Sequence, residues 1–330
     1  MRESELIDKI ARALRLRRAP SLDVRLGVGD DAALFRPRAS REIILTCDWF
    51  LEGTHFLRKT HPPDSVGWKC LARALSDIAA MGGVPRCFLL SLALPDTHTG
   101  RWLDEFLAGL GRASRKFRLV LAGGDTTRRR EICVNATVVG DVETGRAVTR
   151  SGASPGDLVY VSGRLGAAEL GLEVLRRSRG PGHRNDSARR KHLYPEPRLA
   201  LGRWMAEKRL ASSMMDLSDG LSSDLLRLCA ASGVGACLEG ATIPCLRTSD
   251  IARKYGLDPF KLALHGGDDY ELLFTVSLRK ARLLPRAFQG IPLTLIGKIT
   301  KQSELVLRDE NGREQLLAAG GWDPFRKTGA

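Results

Sequence analysis

Long apolar runs are missing from this chain of 330 residues: stretches such as Phe88 to Leu94 and Leu119 to Ala122 fall far short of the roughly 20 apolar residues a membrane-spanning helix needs. The opening residues, with Glu3, Ser4, Glu5 and Asp8, hold no apolar signal core, so the expected location is the cytoplasm and no membrane partner is expected. Paired cysteines are missing too. The seven that occur, at positions 47, 70, 87, 133, 229, 237 and 245, are odd in number, include no C-x-x-C and mostly sit inside apolar runs. That pattern suits reduced, buried thiols and not a disulfide framework or zinc site. Six scattered histidines give no clustered ligand pattern.

Several catalytic signatures are also absent. There is no G-x-x-x-x-G-K-[ST] phosphate loop, no kinase H-R-D and D-F-G pair and no H-E-x-x-H, so any nucleotide chemistry uses another cradle. Gly27-Val28-Gly29-Asp30-Asp31-Ala32 fits a loose dinucleotide fingerprint, yet it sets two carboxylates where a pyrophosphate would lie, which repels unless a metal intervenes.

What is present begins with size and charge. A chain of this length with 43% hydrophobic residues exceeds what one core usually organises, so two domains are expected, 1–148 and 149–330, divided at the turn-rich stretch Arg150 to Asp157. The formal charge of +14 would attract any polyanion, but the basic residues are scattered apart from Arg176 to Lys191. No RNP, zinc-finger or helix-turn-helix signature accompanies them, so no nucleic-acid partner is expected, and the basic run reads as a solvated loop or a docking surface.

Along the chain, Leu6, Ile7, Ile10 and Leu14 mark a helix from Ser4 to Arg17, and Ile43 to Thr46 marks a strand ending at Cys47-Asp48. A helix from Asp64 to Met81 stops at Gly82-Gly83, with Asp77 inside its apolar stripe, where the carboxylate needs either a cation or a salt bridge to Arg73. A strand from Phe88 to Leu94, a helix from Trp102 to Lys116 and a strand from Arg118 to Ala122 follow, the last stopping at Gly123-Gly124-Asp125-Thr126-Thr127-Arg128. Those residues are either an ordinary turn or a polar tip suited to a hard cation and a phosphate. After a strand at Ile132 to Val139, the second half has a strand at Leu158 to Val161 and helices after Gly166 and from Arg198 to Lys208. Asp216-Leu217-Ser218-Asp219-Gly220 then precedes a helix carrying Leu221, Leu225, Leu228 and Cys229. Ser218 or Asp219 serves there as an N-cap, or else the free N–H groups take a phosphate through a metal held by the carboxylates. A second Gly-Gly-Asp turn, His265 to Glu271, precedes a strand from Leu272 to Val276.

Asp31, Asp48, Asp77, Asp125, Asp216 and Asp219 share a context at element ends or on a buried face, and such carboxylates cannot gather without cations. Mg²⁺ takes oxygen ligands, keeps several waters and binds a few carboxylates together with substrate phosphates, so acidic residues, Mg²⁺ and a nucleotide form the simplest set.

The ordered motifs resemble the thiamine-monophosphate kinase family, of the superfamily that includes aminoimidazole ribonucleotide synthetase. They are Gly27 to Ala32, Thr46 to Phe56, Leu75 to Gly82, Gly123 to Arg128, Thr149 to Ala153, Pro195 to Arg198, Asp216 to Leu221 and Gly266 to Leu272. The resemblance implies an α+β, two-domain aminoimidazole ribonucleotide synthetase-like fold with mixed sheets flanked by helices, and a homodimer formed through the N-terminal strands. It also implies transfer of the γ-phosphoryl group of ATP to thiamine monophosphate with Mg²⁺ and no phospho-enzyme. Asp31, Thr46, Asp48, Asp77, Asp125, Asp216 and Asp219 match its metal positions, with Asp77, Asp125 and Asp219 central to catalysis. Gly124, Asp125, Arg150 and Ser218 match nucleotide contacts, and His55, Asp268 and Trp322 lie at positions near the thiamine substrate. Three residues depart from the family pattern: Cys47 stands for Thr or Ser, Ala74 for Asn and Asp268 for Glu. The rivals are another ATP-dependent enzyme of the superfamily and a basic, non-catalytic nucleic-acid binder.

Overall fold

The computed structural model describes residues 2–14, 23–28, 31–177, 187–246 and 250–325. The chain divides into two compact units, one of Met1–Ile78 with Gly83–Ala147 and the other of Ala79–Gly82 with Val148–Ala330. No helix among the described residues is long and apolar enough to cross a membrane.

The first unit runs α1 (Glu3–Leu14), β1 (Val24–Leu26), β2 (Leu34–Phe35), β3 (Arg41–Leu51), α2 (Pro63–Ala80), β4 (Val84–Leu94), α3 (Arg101–Phe117), β5 (Val120–Arg128) and β6 (Cys133–Glu143). Its main sheet has the order β3-β6-β4-β5, antiparallel except for the parallel pair β4 and β5. Strand alternation sorts β3 into two faces. Ile44 and Phe50 are buried on the face that also carries Thr46 and Asp48, and α2 covers it: the Arg73 guanidinium lies 5.5 Å from the centre of the Phe50 ring. The other face shows Ile43, Leu45 and Trp49 at 37%, 70% and 56% exposure.

Two strands run further than the sequence suggests. Asp48 does not end a strand but pairs with Ala136 inside β3, because the β-favouring Trp49 and Phe50 carry the pairing on to Leu51. Gly123 to Arg128 is not a turn but the second half of β5, paired with β4 as far as Leu94 and Arg128. Gly124 permits this close approach, since a Cβ there would stand 2.0 Å from the Leu90 carbonyl oxygen.

The second unit contains β7 (Leu158–Ser162), α4 (Ala167–Arg177), α5 (Ser187–Leu193), α6 (Leu199–Glu207), β8 (Ser213–Asp216), α7 (Leu221–Ser232), β9 (Gly235–Glu239), α8 (Asp250–Lys254) and α9 (Pro259–His265). It continues with β10 (Leu272–Val276), α10 (Leu278–Ala281), β11 (Ala287–Phe288), β12 (Ile291–Thr300), β13 (Leu305–Arg308) and β14 (Glu314–Leu316). The eight-stranded mixed sheet has the order β14-β13-β9-β12-β7-β10-β8, with β11 on β12. Val159, Val161, Leu225, Leu228, Leu273, Ile296 and Ile299 meet in its core. That core fixes α7 against the sheet and so places the chain between β8 and α7. Of the basic run, residues 178–186 lie outside the described residues, as do 15–17 of the first expected helix, and from Ser187 the run is helical.

All seven cysteines are free thiols, but only Cys70, Cys87 and Cys229 are buried. Cys47 is exposed on the open face of β3, where Asn135 Nδ2 donates to its sulfur at 3.1 Å.

Candidate functional site

In the first unit, Thr46 and Asp48 project from one face of β3, and the Thr46 hydroxyl donates to Asp77 Oδ2 on α2. This contact gives the carboxylate in the helix stripe a polar neighbour and sets three oxygen-bearing side chains on the half-buried edge of the sheet. Asp31 is exposed in the segment before β2, beside Gly29 and Asp30, which lie outside the described residues.

Asp125 lies elsewhere. Its row across the sheet runs through Ser91 and Asn135 to Trp49, on the open face, whereas the Asp48 row runs through Ala136 and Leu90 to Gly124. Asp48 and Asp125 therefore occupy opposite edges and opposite faces of one sheet, three strand spacings or about 14 Å apart. They cannot hold the same ion within one chain. His55 follows in the turn after β3, where its Nδ1 accepts the Leu51 N–H at 3.0 Å.

In the second unit, Asp216 ends β8 with 4% exposure, and the turn beyond it is organised by a residue the sequence reading did not single out. Asp224, fully buried in the first turn of α7, accepts the N–H groups of Ser218, Asp219 and Gly220 on one carboxylate oxygen at 3.1, 3.0 and 3.1 Å. These N–H groups, expected to be free for a phosphate, are already taken. The N-cap of α7 is Gly220, at φ 107°, with no side-chain cap, so neither Ser218 nor Asp219 plays that part. Arg227 instead bridges Asp219 and Asp224, donating to Asp224 Oδ1 at 2.7 Å. Burial and the neighbouring Asp219 charge push the Asp224 carboxyl up to about 6 against the pull of its N–H donors and Arg227. A carboxylate in a first helical turn was a visible signal for Asp224, while Arg227 follows it at helical spacing.

The second Gly-Gly-Asp segment interlocks with this turn. Asp268 N–H donates to the Ser218 carbonyl and Tyr270 N–H to the Leu217 carbonyl, both at 2.8 Å. Asp268 and Tyr270 take φ values of 64° and 49°, a left-handed backbone that is rare for a bulky buried residue such as Tyr270. The Tyr270 hydroxyl donates to Asp268 Oδ1 at 2.6 Å, with His192 Nδ1 3.8 Å from its other oxygen. Asp tolerates such a backbone better than most residues, which suits it to position 268.

Two buried acids beside Asp268 fix the segment. Asp269 accepts the Gly166 and Ala168 N–H groups at the start of α4, at 2.6 and 3.1 Å, and burial pushes its carboxyl up to about 7. Glu271 meets Lys191 and Arg198, with Lys191 Nζ and Arg198 Nε each at 2.6 Å, and also accepts the Ser162 hydroxyl. Burial opposes its ionisation, but the two cations outweigh burial and hold the carboxyl below its ordinary range. The segment Gly320 to Trp322 also reaches the turn, Trp322 N–H donating to the Asp219 carbonyl at 2.9 Å. Asp216, Ser218, Asp219, Asp268 and Trp322 thus share one locality of the second unit. Arg150 is not brought to it: its carbonyl accepts the hydroxyl of Ser232, at the opposite end of α7 from the turn, at 3.0 Å.

No group of three or more His, Cys, Asp and Glu side chains that could hold a metal is gathered among the described residues. The oxygens present come in pairs and small sets, which fits Mg²⁺, an ion that keeps several waters and takes one or two carboxylates with substrate phosphates.

Residues 29–142 match the AIR synthase related protein, N-terminal domain, and residues 154–310 match the AIR synthase related protein, C-terminal domain. The chain is 38% identical over 323 residues to the thiamine-monophosphate kinase of Escherichia coli strain K12, covering 96% of this chain and 97% of that protein. Its structure is similar to the crystal structure of thiamine-monophosphate kinase from Stenotrophomonas maltophilia K279a, with a TM-score of 0.79 at 36% identity over 93% of this chain and 96% of that one. It is also similar to AaThiL complexed with AMPPCP and TMP, with a TM-score of 0.77 at 31% identity over 98% and 99%.

Proposed function

This chain belongs to the thiamine-monophosphate kinase family, and we propose that it transfers the γ-phosphoryl group of ATP directly to the phosphate of thiamine monophosphate, giving thiamine diphosphate and ADP. The observation that carries this reading is the second-unit turn, where Asp216, Ser218 and Asp219 lie with Asp268 and Trp322 in a scaffold locked by buried hydrogen bonds. The similarity to a structure that holds AMPPCP and TMP supports the same pair of ligands.

Phosphoryl transfer asks the protein for alignment and charge neutralisation, not for a covalent nucleophile. Asp31, Thr46, Asp48, Asp77 and Asp125 of the first unit, and Asp216 and Asp219 of the second, are the residues that would hold Mg²⁺. The bound metal would supply neutralisation of the charge that develops on the transferred oxygens. Gly124, Arg150 and Ser218 serve the nucleotide; Arg150 offers a guanidinium suited to phosphate oxygens. His55, Asp268 and Trp322 serve the acceptor, whose cationic thiazolium suits an aromatic face and a carboxylate. With the phosphate-seeking N–H groups of residues 218–220 closed by Asp224, the nucleotide is gripped through side chains and metal and not through that turn's backbone.

Residues 1–148 are assigned dimerisation together with the metal and nucleotide contacts of Asp31, Thr46, Asp48, Asp77, Gly124 and Asp125. The open apolar face of β3 suits a second copy of the chain, since Leu45 and Trp49 are too exposed for a sheet left bare. Asp125 shares that face while Asp48 does not, so in the homodimer each Asp125 serves the site of the other copy. Acceptor choice tests the activity: with ATP labelled in the γ-phosphate, label should pass to thiamine monophosphate and not to thiamine. Transfer to a different acceptor would replace this reading.

A further inference from the structure

The segment Gly320 to Trp322 is held to the start of α7 by three successive backbone donors. Gly320 N–H donates to Ser222 Oγ at 3.1 Å, Gly321 N–H to Ser223 Oγ at 3.0 Å and Trp322 N–H to the Asp219 carbonyl at 2.9 Å. Ser222 Oγ lies 2.8 Å from His265 Nδ1 as well, so its hydroxyl is fixed from two sides. The fit leaves no room at either glycine. A Cβ at position 320 would stand 2.4 Å from His265 Nδ1, and one at 321 would stand 1.9 Å from the Asp219 carbonyl oxygen.

The side chain does the opposite of the backbone. Ser222 and Ser223 are buried at 0% and 7% exposure, while Trp322 keeps 48%. A tryptophan serving only as a core anchor would bury its ring, whereas here the backbone is bolted down and the indole is presented.

We infer that Ser222 and Ser223 are positioning residues for Trp322: their hydroxyls fix the glycine pair, and through it the aromatic face that receives the cationic acceptor. The inference rests on the acceptor role proposed for Trp322. Neither serine touches the reacting atoms, so their loss loosens acceptor binding and leaves phosphoryl transfer intact once the site is filled. A misplaced ring costs affinity because stacking and cation–π contact depend on geometry.

The test uses Ser222→Ala, Ser223→Ala and Ser223→Thr in the full chain, with Trp322→Phe as reference. Ser223→Ala, at the less buried position, carries the test where Ser222→Ala fails to fold. Each alanine variant should raise KM for thiamine monophosphate by about three- to tenfold, the loss expected of one hydrogen bond, with kcat and KM for ATP unchanged. Ser223→Thr keeps a hydroxyl and should recover most of the affinity. Thiamine monophosphate should quench the Trp322 emission, defined as the difference between the wild type and Trp322→Phe, with a midpoint displaced by the same factor in the alanine variants. If Trp322 emission ignores the acceptor and Trp322→Phe has wild-type KM, the acceptor role of Trp322 falls and takes the inference with it. If Trp322 responds but the alanine variants keep wild-type KM and midpoint, or lose kcat and both KM values together, the positioning role alone is overturned.

Discussion

The carboxylate of Asp224 accepts the backbone N–H of Asp219 at 3.0 Å, and the same oxygen takes the N–H groups on either side of it. A buried carboxyl thus serves as the internal acceptor for a turn shaped like an anion site. Asp224→Ala leaves three donors in a buried turn without this acceptor, and should lower unfolding stability by about 2–4 kcal/mol in a urea titration. Asp224→Asn keeps an acceptor oxygen and should cost less. Equal stability of Asp224→Ala and the wild type would contradict the assignment.

Asp219→Asn separates metal binding from structure. With Gly220 as the N-cap, Asp219 has no capping duty, and the change removes its ion pair with the exposed Arg227. Thermal melting without ligand should move little, since such pairs contribute about 0–1 kcal/mol. Kinase turnover should fall on the order of a hundredfold or more, the loss typical of a charge contact made in the transition state. The stabilisation of the fold by Mg-ATP should disappear with it.

Mixing two inactive variants probes the shared site. Asp48→Asn and Asp125→Asn should each abolish activity as pure proteins, because each removes a carboxylate from both sites of a homodimer. Unfolded and refolded together, they form mixed dimers in which one site keeps both acids, restoring about a quarter of wild-type activity on random pairing. No recovery, with mixed dimers demonstrated, would place both residues in one chain's own site.

Asp269 predicts a pH dependence of stability. Its folded pKa, about 7, lies above the ordinary carboxylate value because burial disfavours the charged form. The folded state then binds the proton more tightly than the unfolded state. Its contribution to stability is full below pH about 4 and is lost as the pH rises towards about 7. Asp269→Asn keeps an acceptor oxygen for one of the two N–H groups, of Gly166 or Ala168, and cannot titrate. Its melting temperature should lack this decline, and an unchanged slope between pH 4 and 7 would remove Asp269 as the cause.

Much of this was legible in residues alone. The helix that stops before Gly82-Gly83 and the buried strand Leu272–Val276 follow from local chemistry and periodicity, and the structure has both. Where pattern reading failed, long-range pairing was the reason. Gly123-Gly124 looks like a turn until β4 lies alongside and the absent Cβ is seen to admit the Leu90 carbonyl. Asp269 caps a helix whose start lies about 100 residues away in sequence, a partnership that no local signal carries. Asp224 was within reach, since a first-turn carboxylate after a Gly-initiated helix has few reasons to be buried except to bind backbone N–H groups. Its neighbours Ser218 and Asp219 drew attention because they are polar at an element end, whereas Asp224 sits among Leu221, Leu225 and Leu228 and passes for part of an amphipathic helix.

Product formation tests the central claim most directly. Purified protein supplied with thiamine monophosphate, ATP and Mg²⁺ should yield thiamine diphosphate and ADP in equal amounts, with formation lost when Mg²⁺ is chelated and nearly lost in Asp219→Asn. ADP released with inorganic phosphate and no thiamine diphosphate, or thiamine diphosphate formed at the wild-type rate by Asp219→Asn, would contradict it.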